Sequence, residues 1–291
     1  MPKLLAILAV LAAAMLWGTT GTFQSFLPAA REPLVVGAVR LWVGAASLLL
    51  LAFAHPTSRR AFSQVPRKSL LLAGGFIAAY NLLFFAAVTR AGVGIGTALT
   101  IGSAPVWVAL YELAYLRQRP SLRKALGQAL AILGAALLVL AGQAENLSLT
   151  GLGLALAAGL SYAVYSLASS AMSPHAPSST IAASTFTLAA LLVTPVFFLF
   201  PLSWMQTGTS PATLLALGVL STGLAYALYT WGLKALPAST AVTLALAEPL
   251  TAWLLATFLI GEPATPLKLT GAALLLAGLY VVTSEKRAEG L

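Results

Sequence analysis

The 291-residue chain has no cysteine, no aspartate and only two histidines. Without cysteine there can be no disulfide, thiolate metal site or thiol nucleophile. His55 and His175 fall in separate breaks between apolar runs, with no second ligand at metal spacing. Neither a metal cluster nor a nucleophile–base–acid set can be assembled, so no metal, cofactor or catalytic residue is expected. Charge is also scarce. Only 8% of residues are ionised Asp, Glu, Lys or Arg, against about 25% in a soluble domain. Water cannot solvate a surface so poor in charge, and lipid must cover most of it. The charge that exists is lopsided, with 16 Lys and Arg against 7 Glu and a formal net charge of +9. These cations sit in short breaks rather than on one soluble face, which excludes a nucleic-acid surface and fits membrane insertion.

Apolar residues make up 59% of the chain. A spanning helix needs about 20 of them at 1.5 Å rise. Ten runs qualify: 4–27, 34–54, 69–89, 94–116, 124–142, 150–169, 179–200, 211–233, 239–260 and 266–284. Prolines punctuate the breaks, among them Pro33, Pro56, Pro120, Pro177, Pro237 and Pro263. The first run is too long for a signal-peptide core of about 7–15 residues. The expected fold class is an all-α polytopic membrane protein with ten transmembrane helices.

Counting Lys and Arg over alternate breaks sets the orientation. Lys3, Arg59, Arg60, Arg67, Lys68, Arg117, Arg119, Arg123, Lys124, Lys234, Lys286 and Arg287 fall on one side, against Arg31, Arg90 and Lys268 on the other. Arg40 lies within a span. The 12-to-3 bias places both termini in the cytoplasm.

A shift of 144 aligns Pro105 with Pro249, Gly127 with Gly271, Gly134 with Gly278, Arg90 with Lys234 and Lys124 with Lys268. Matched Pro and Gly mark special backbone positions. The expected domains are therefore 1–144 and 145–291, five spans each. Five is odd, so the second half enters the membrane inverted. Inverted-topology repeats recur in secondary transporters, with the substrate site near midplane at their interface.

Trp17–Gly18 in the first span, Pro105 matched by Ala247–Glu248–Pro249, and Ile260–Gly261–Glu262 closing the ninth span together resemble the drug/metabolite transporter superfamily, EamA type. Within it the chain resembles the YddG-like exporters of aromatic amino acids. The resemblance covers nearly the whole chain and implies a multi-pass protein of the bacterial inner membrane, exporting small metabolites by alternating access. In the family a Gly–Glu pair often closes the matching first-half span; here Arg117–Gln118 stands there.

Three ionisable groups lie within spans: Arg40, Glu112 and Glu248. Each costs a few kcal/mol or more in hydrocarbon and should face a cavity or a partner. Glu112 is near a span end, close to Arg117 and Arg119 in sequence, and reads as a snorkelling or locally paired carboxylate. Glu248, near mid-depth before Pro249, reads either as a contact for a substrate amine or a titrating group, or as the partner of Arg40. Arg40 itself either meets a substrate carboxylate or holds Glu248. Trp17, Tyr80, Trp107, Tyr162 and Tyr226 lie away from the interfacial belt and are either packing or cavity wall. Asn81, Ser103, Thr100 and Thr243 offer polar contacts or interhelical hydrogen bonds. The candidate substrate-binding set is Trp17, Tyr80, Asn81, Ser103, Trp107, Tyr162, Tyr226 and Glu248. Such a cavity suits a small amphipathic solute, with aromatic or bulky apolar amino acids as the leading class. The expected partners are that solute and membrane lipid, with a monomer as the simplest state. A channel would need a polar stripe along several helices, and an intramembrane enzyme would need clustered His, Asp or Cys in the spans; neither pattern is visible.

Overall fold

A computed structural model describes residues 2–140 and 148–284. Among these, ten helices are long and apolar enough to cross a membrane: α1 (Lys3–Gln24), α2 (Pro33–Ala54), α3 (Arg67–Ala91), α4 (Val93–Ala114), α5 (Leu122–Leu140), α6 (Leu149–Met172), α7 (Ser178–Leu199), α8 (Ser210–Gly232), α9 (Ala238–Leu259) and α10 (Pro266–Thr283). Lipid offers no hydrogen bonds, so only a backbone that satisfies itself can cross. The outward faces carry large apolar side chains such as Leu50, Phe198 and Phe258. The first span ends at Gln24 rather than Leu27, because residues 25–27 turn off into the connection, where Thr209 donates to the Phe26 carbonyl at 2.8 Å. The boundary expected at 144–145, the Asn146–Leu147–Ser148 sequon and the cations Lys286 and Arg287 lie wholly or partly outside the described residues.

Local chemistry sets the ends. Pro33 and Pro266 occupy first helical positions, where a missing N–H costs nothing. The Ser148 hydroxyl accepts from Gly151 N at 3.2 Å to start α6. At the far end of α9, Gly261 adopts φ 82°, the left-handed cap that glycine favours, and Glu262 N donates to the Ala256 carbonyl at 3.1 Å. The repeat-matched end of α4 does the same without glycine. Arg117 takes φ 54° and Gln118 N donates to the Glu112 carbonyl at 3.0 Å. The departure from the Gly–Glu pair at Arg117–Gln118 thus changes the side chains and keeps the cap.

Packing is closed under exchange of halves. α1 packs on α8 and α9, and its counterpart α6 packs on α3 and α4. α2 meets α7 and α8, and α7 meets α2 and α3. α5 and α10 pair with each other across the repeats. At that seam Gly127 faces the backbone of Gly278, and Gly134 faces that of Gly271 and Leu275. Swapping residues by the 144-residue shift converts one contact into the other, as an inverted repeat requires. Small residues let the backbones approach, which supports helix association where no hydrophobic drive exists.

Two of the irregular stretches bear on the site. In α9, Pro249 cannot donate to the Ala245 carbonyl, and Glu248 N takes that acceptor instead at 3.0 Å. In α8, residues Val219–Leu224 form a wide π turn, a feature concentrated at functional sites. Both irregular stretches contribute residues to the cavity described next.

Candidate substrate cavity

A cavity of about 550 Å³ lies between the halves, within the range of small-molecule sites. Gln24, Ala29, Arg31, Pro33, Thr89 and Val93 line its mouth, so it opens away from the basic connections that carry Arg59, Arg60, Arg117 and Arg119. Trp17, Ile77, Tyr80, Asn81, Tyr162, Thr222, Tyr226 and Glu248 line its deeper part.

Rings form the floor. Trp17 on α1 meets Tyr226 on α8 at 4.9 Å between centroids and Tyr162 on α6 at 6.1 Å edge-on, while Tyr80 on α3 meets Tyr162 at 5.4 Å. Below them Tyr165, Tyr229 and Phe186 are fully buried, and the Tyr229 hydroxyl shares a 2.8 Å hydrogen bond with Ser166. This stack continues toward the basic end and closes it to solute.

The same end is tied by polar contacts between halves. Lys124 on α5 donates to Ser239 Oγ on α9 at 2.6 Å, and one turn along, Gln128 Nε2 donates to Thr243 Oγ1 at 3.1 Å. Glu112 on α4 pairs with Lys124 at 3.5 Å. The expected local pairing of Glu112 is therefore made with Lys124, across a helix boundary, and not with Arg117 or Arg119; the left-handed cap at Arg117 turns the chain away. Lys3 Nζ donates to the Thr283 carbonyl at 3.2 Å, joining the two terminal helices.

Besides Arg31 at the mouth, two charges within the spans line the cavity. Arg40 on α2 uses Nε to reach Thr222 Oγ1, inside the π turn of α8, at 3.4 Å. Glu248 on α9 also lines the cavity. Among the described residues no ion pair joins them, and no side-chain hydrogen bond reaches the Glu248 carboxylate. Pairing of Arg40 with Glu248, one of the two readings of the sequence, is not formed. Tyr80 and Tyr226 lie within electrostatic reach of both charges. Trp17 Nε1 and Asn81 Oδ1, both on cavity-lining residues, have no hydrogen-bond partner among the described residues.

Six of the eight residues expected at a site line the cavity: Trp17, Tyr80, Asn81, Tyr162, Tyr226 and Glu248. Ser103 and Trp107 do not. Ser103 Oγ donates to the Thr100 carbonyl at 3.2 Å and packs where α4 approaches Gly159 of α6; Trp107 packs at the rim of the core. Ser103 is turned toward α6, while Trp107 lies about two turns beyond Thr100 along α4, past the cavity-lining stretch. Thr100 does line it, whereas Thr243 belongs to the α5–α9 contacts. Gln24, Arg31 and Thr222 were not foreseen. Gln24 and Arg31 read as span end and loop, and Thr222 joins the site through a π turn that hydrophobic pattern does not reveal.

Two interlocked five-helix halves around a central cavity, open at one end and sealed at the other, define a membrane transporter of the inverted-repeat kind. The chain belongs to the EamA-like transporter family, whose model matches residues 4–140 and again 149–284. The double match coincides with the two halves. Among curated relatives, "Uncharacterized transporter YwfM" of Bacillus subtilis (strain 168) is 39% identical over 281 residues, covering 96% of this chain and 94% of that protein. "Threonine/homoserine exporter RhtA" of Escherichia coli (strain K12) is 32% identical over 292 residues, covering 99% of this chain and 95% of that one. A solved crystal structure superimposes with a TM-score of 0.83 over 97% of this chain and 98% of its own, at 22% identity; it shares the fold. The chain is thus a transporter and not an enzyme. The names of these relatives do not single out an aromatic substrate.

Proposed function

We propose that this protein exports small amphipathic metabolites, neutral amino acids foremost, by alternating access of the cavity between its halves. The observation that carries the reading is the cavity itself: ring-walled, supplied with Arg40 and Glu248 from within the spans and Arg31 at the mouth, open at one end and sealed at the basic end. Positive connections stay in the cytoplasm, so both termini are cytoplasmic, the protein crosses the cell membrane, and the state described is open to the outside. A phosphate ester or polyanion would require several cations at the site, and only Arg40 and Arg31 line this one. The rings favour apolar and aromatic side chains, each good ring contact adding about 0.5–1.5 kcal/mol beyond area burial. The described activity of the Escherichia coli relative extends the class to small hydroxylated amino acids. Residues from both halves of a single chain line the cavity, so a monomer is sufficient.

Purified protein in liposomes tests this. Labelled L-phenylalanine and L-threonine, loaded with and without a proton gradient, should leave protein-containing vesicles faster than empty ones. Unlabelled neutral amino acids should compete, and a nucleotide sugar should not. Competition by the nucleotide sugar alone would reject the amino-acid reading and leave the transporter intact.

A further inference from the structure

Resting on the amino-acid reading above, we infer that Arg40 and Glu248 form a two-point clamp for a zwitterion, Arg40 taking the α-carboxylate and Glu248 the α-ammonium, with the side chain directed onto the Trp17–Tyr162–Tyr226 rings. Each charge lies in a span, where an ion without a partner is costly. A protein that needed them only for structure would let them pair, cancelling both. Here they line one cavity within electrostatic reach of each other and remain apart. A ligand with opposite charges a few ångströms apart satisfies both at once. A ligand with one charge leaves the other exposed to a partly dehydrated wall.

The surroundings fix the polarity and the pose. The 3.4 Å bond from Arg40 Nε to Thr222 Oγ1 anchors the guanidinium by its inner nitrogen. Its two terminal nitrogens have no partner among the described residues and match the two oxygens of a carboxylate. Glu248 lies beside the break at Ala245–Leu246, and among the described residues no side chain pairs with its carboxylate, which suits an ammonium with its three donors. Counted from the helix ends at the mouth, Glu248 lies eleven residues into α9, and Thr222, which the Arg40 guanidinium reaches, lies twelve into α8. The two charges therefore lie at similar depth, and a zwitterion would bridge them across the cavity beside Trp17 and its ring partners. Gly18 lets the α1 backbone lie against the Glu248 carbonyl, so the ring floor and the acid are held together.

The test is competition against efflux of labelled L-phenylalanine from liposomes containing the wild-type protein. The competitors are L-phenylalanine, phenethylamine, which lacks the carboxylate, and 3-phenylpropionate, which lacks the amine. Removing a group that makes charge-assisted hydrogen bonds should weaken competition about tenfold or more, so both analogues should compete at least that much less well than the amino acid. In Arg40→Gln the advantage of phenylalanine over phenethylamine should disappear; in Glu248→Gln its advantage over phenylpropionate should disappear. Equal competition by all three in the wild type would overturn the clamp while leaving amino-acid export standing. Variant effects with the opposite assignment would overturn the polarity. Failure of both labelled phenylalanine and labelled threonine to move would overturn the transport reading and the clamp with it. Should a variant fail to insert, the wild-type series alone decides between the first outcomes.

Discussion

The contacts between α5 and α9 hold the basic end shut, and their removal should shift the protein toward the opposite opening. The perturbation is Ser239→Ala with Thr243→Val. It removes both acceptors on α9 and leaves the Lys124–Glu112 pair intact, so no charge is stranded. The Lys124–Ser239 bond is short, 2.6 Å, and charge-assisted, while Gln128–Thr243 is neutral at 3.1 Å. The first is worth about 1.5–3 kcal/mol and the second about 1. Losing both costs the closed basic end about 3 kcal/mol, on the order of a hundredfold in the equilibrium between openings. The assay uses the natural absence of cysteine. Thr97→Cys lines the cavity and should be labelled by an impermeant maleimide from outside, whereas Thr240→Cys is buried at the basic end and should be protected from the cytoplasmic side. If the outside-open state starts at about 99:1, the double substitution brings it near even. Labelling at position 97 should then slow about twofold. Labelling at position 240 in inside-out vesicles should rise tens of times, since the minor state grows most. Unchanged rates at both reporters, in a variant that melts like the wild type, would refute the reasoning.

Arg117→Gly should raise the melting temperature in detergent, because glycine relieves a left-handed backbone costing roughly 1–2 kcal/mol in other residues, partly offset by its unfolded-state entropy; an unchanged or lower value counts against strain at that cap. A Cβ at Gly134 or Gly278 meets backbone of the facing helix, so Gly134→Ala or Gly278→Ala should destabilise by about 1–3 kcal/mol, while Gly75→Ala, with nothing nearby, should be neutral or stabilising by up to about 1 kcal/mol; thermal unfolding of the three variants separates these outcomes. For topology, single cysteines at Arg59 and Arg119 should resist an impermeant label applied to intact cells, and one at Pro263 should react; the reverse pattern would invert the protein.

The spans were legible because the hydrocarbon thickness demands a long apolar run whatever the tertiary contacts, and the repeat was legible because proline and glycine report backbone geometry. Position 117 shows the limit of that logic. Its residue differs from Gly261 at the matched position, yet both take the same cap, since the chain must turn there in either half. How far along a helix the cavity reaches was less legible. Trp107 lies about two turns from Thr100 on nearly the same side of α4 and looked equally suitable, because an apolar helix buried on several sides carries no polar stripe to mark where a cavity ends. Thr222 was hidden for a different reason: a π turn shifts the helical phase, so the residue reaching Arg40 is not the one a regular helix would offer.

The two seals of such a transporter need not be alike, and the repeat makes the comparison direct. At the basic end Lys124 and Gln128 of α5 meet Ser239 and Thr243 of α9. Shifted by 144, the corresponding residues at the other end are Lys268 and Ala272 of α10 with Ile95 and Leu99 of α4. Lys268 pairs instead with Glu262 at 3.0 Å, within its own half. The other positions have no polar side chain, and α10 and α4 lack the packing that α5 and α9 make. Closing the outer end would thus bring apolar faces together, while closing the basic end makes hydrogen bonds. Apolar contact strengthens on warming from low temperature and is indifferent to the exact register, whereas donor–acceptor contacts demand geometry. The state with the basic end shut is held by specific bonds, and the opposite state would rest on packing. A bound ligand that draws α2 and α9 together through Arg40 and Glu248 acts on the weakly specified side, where a small free energy is enough to change which end is shut.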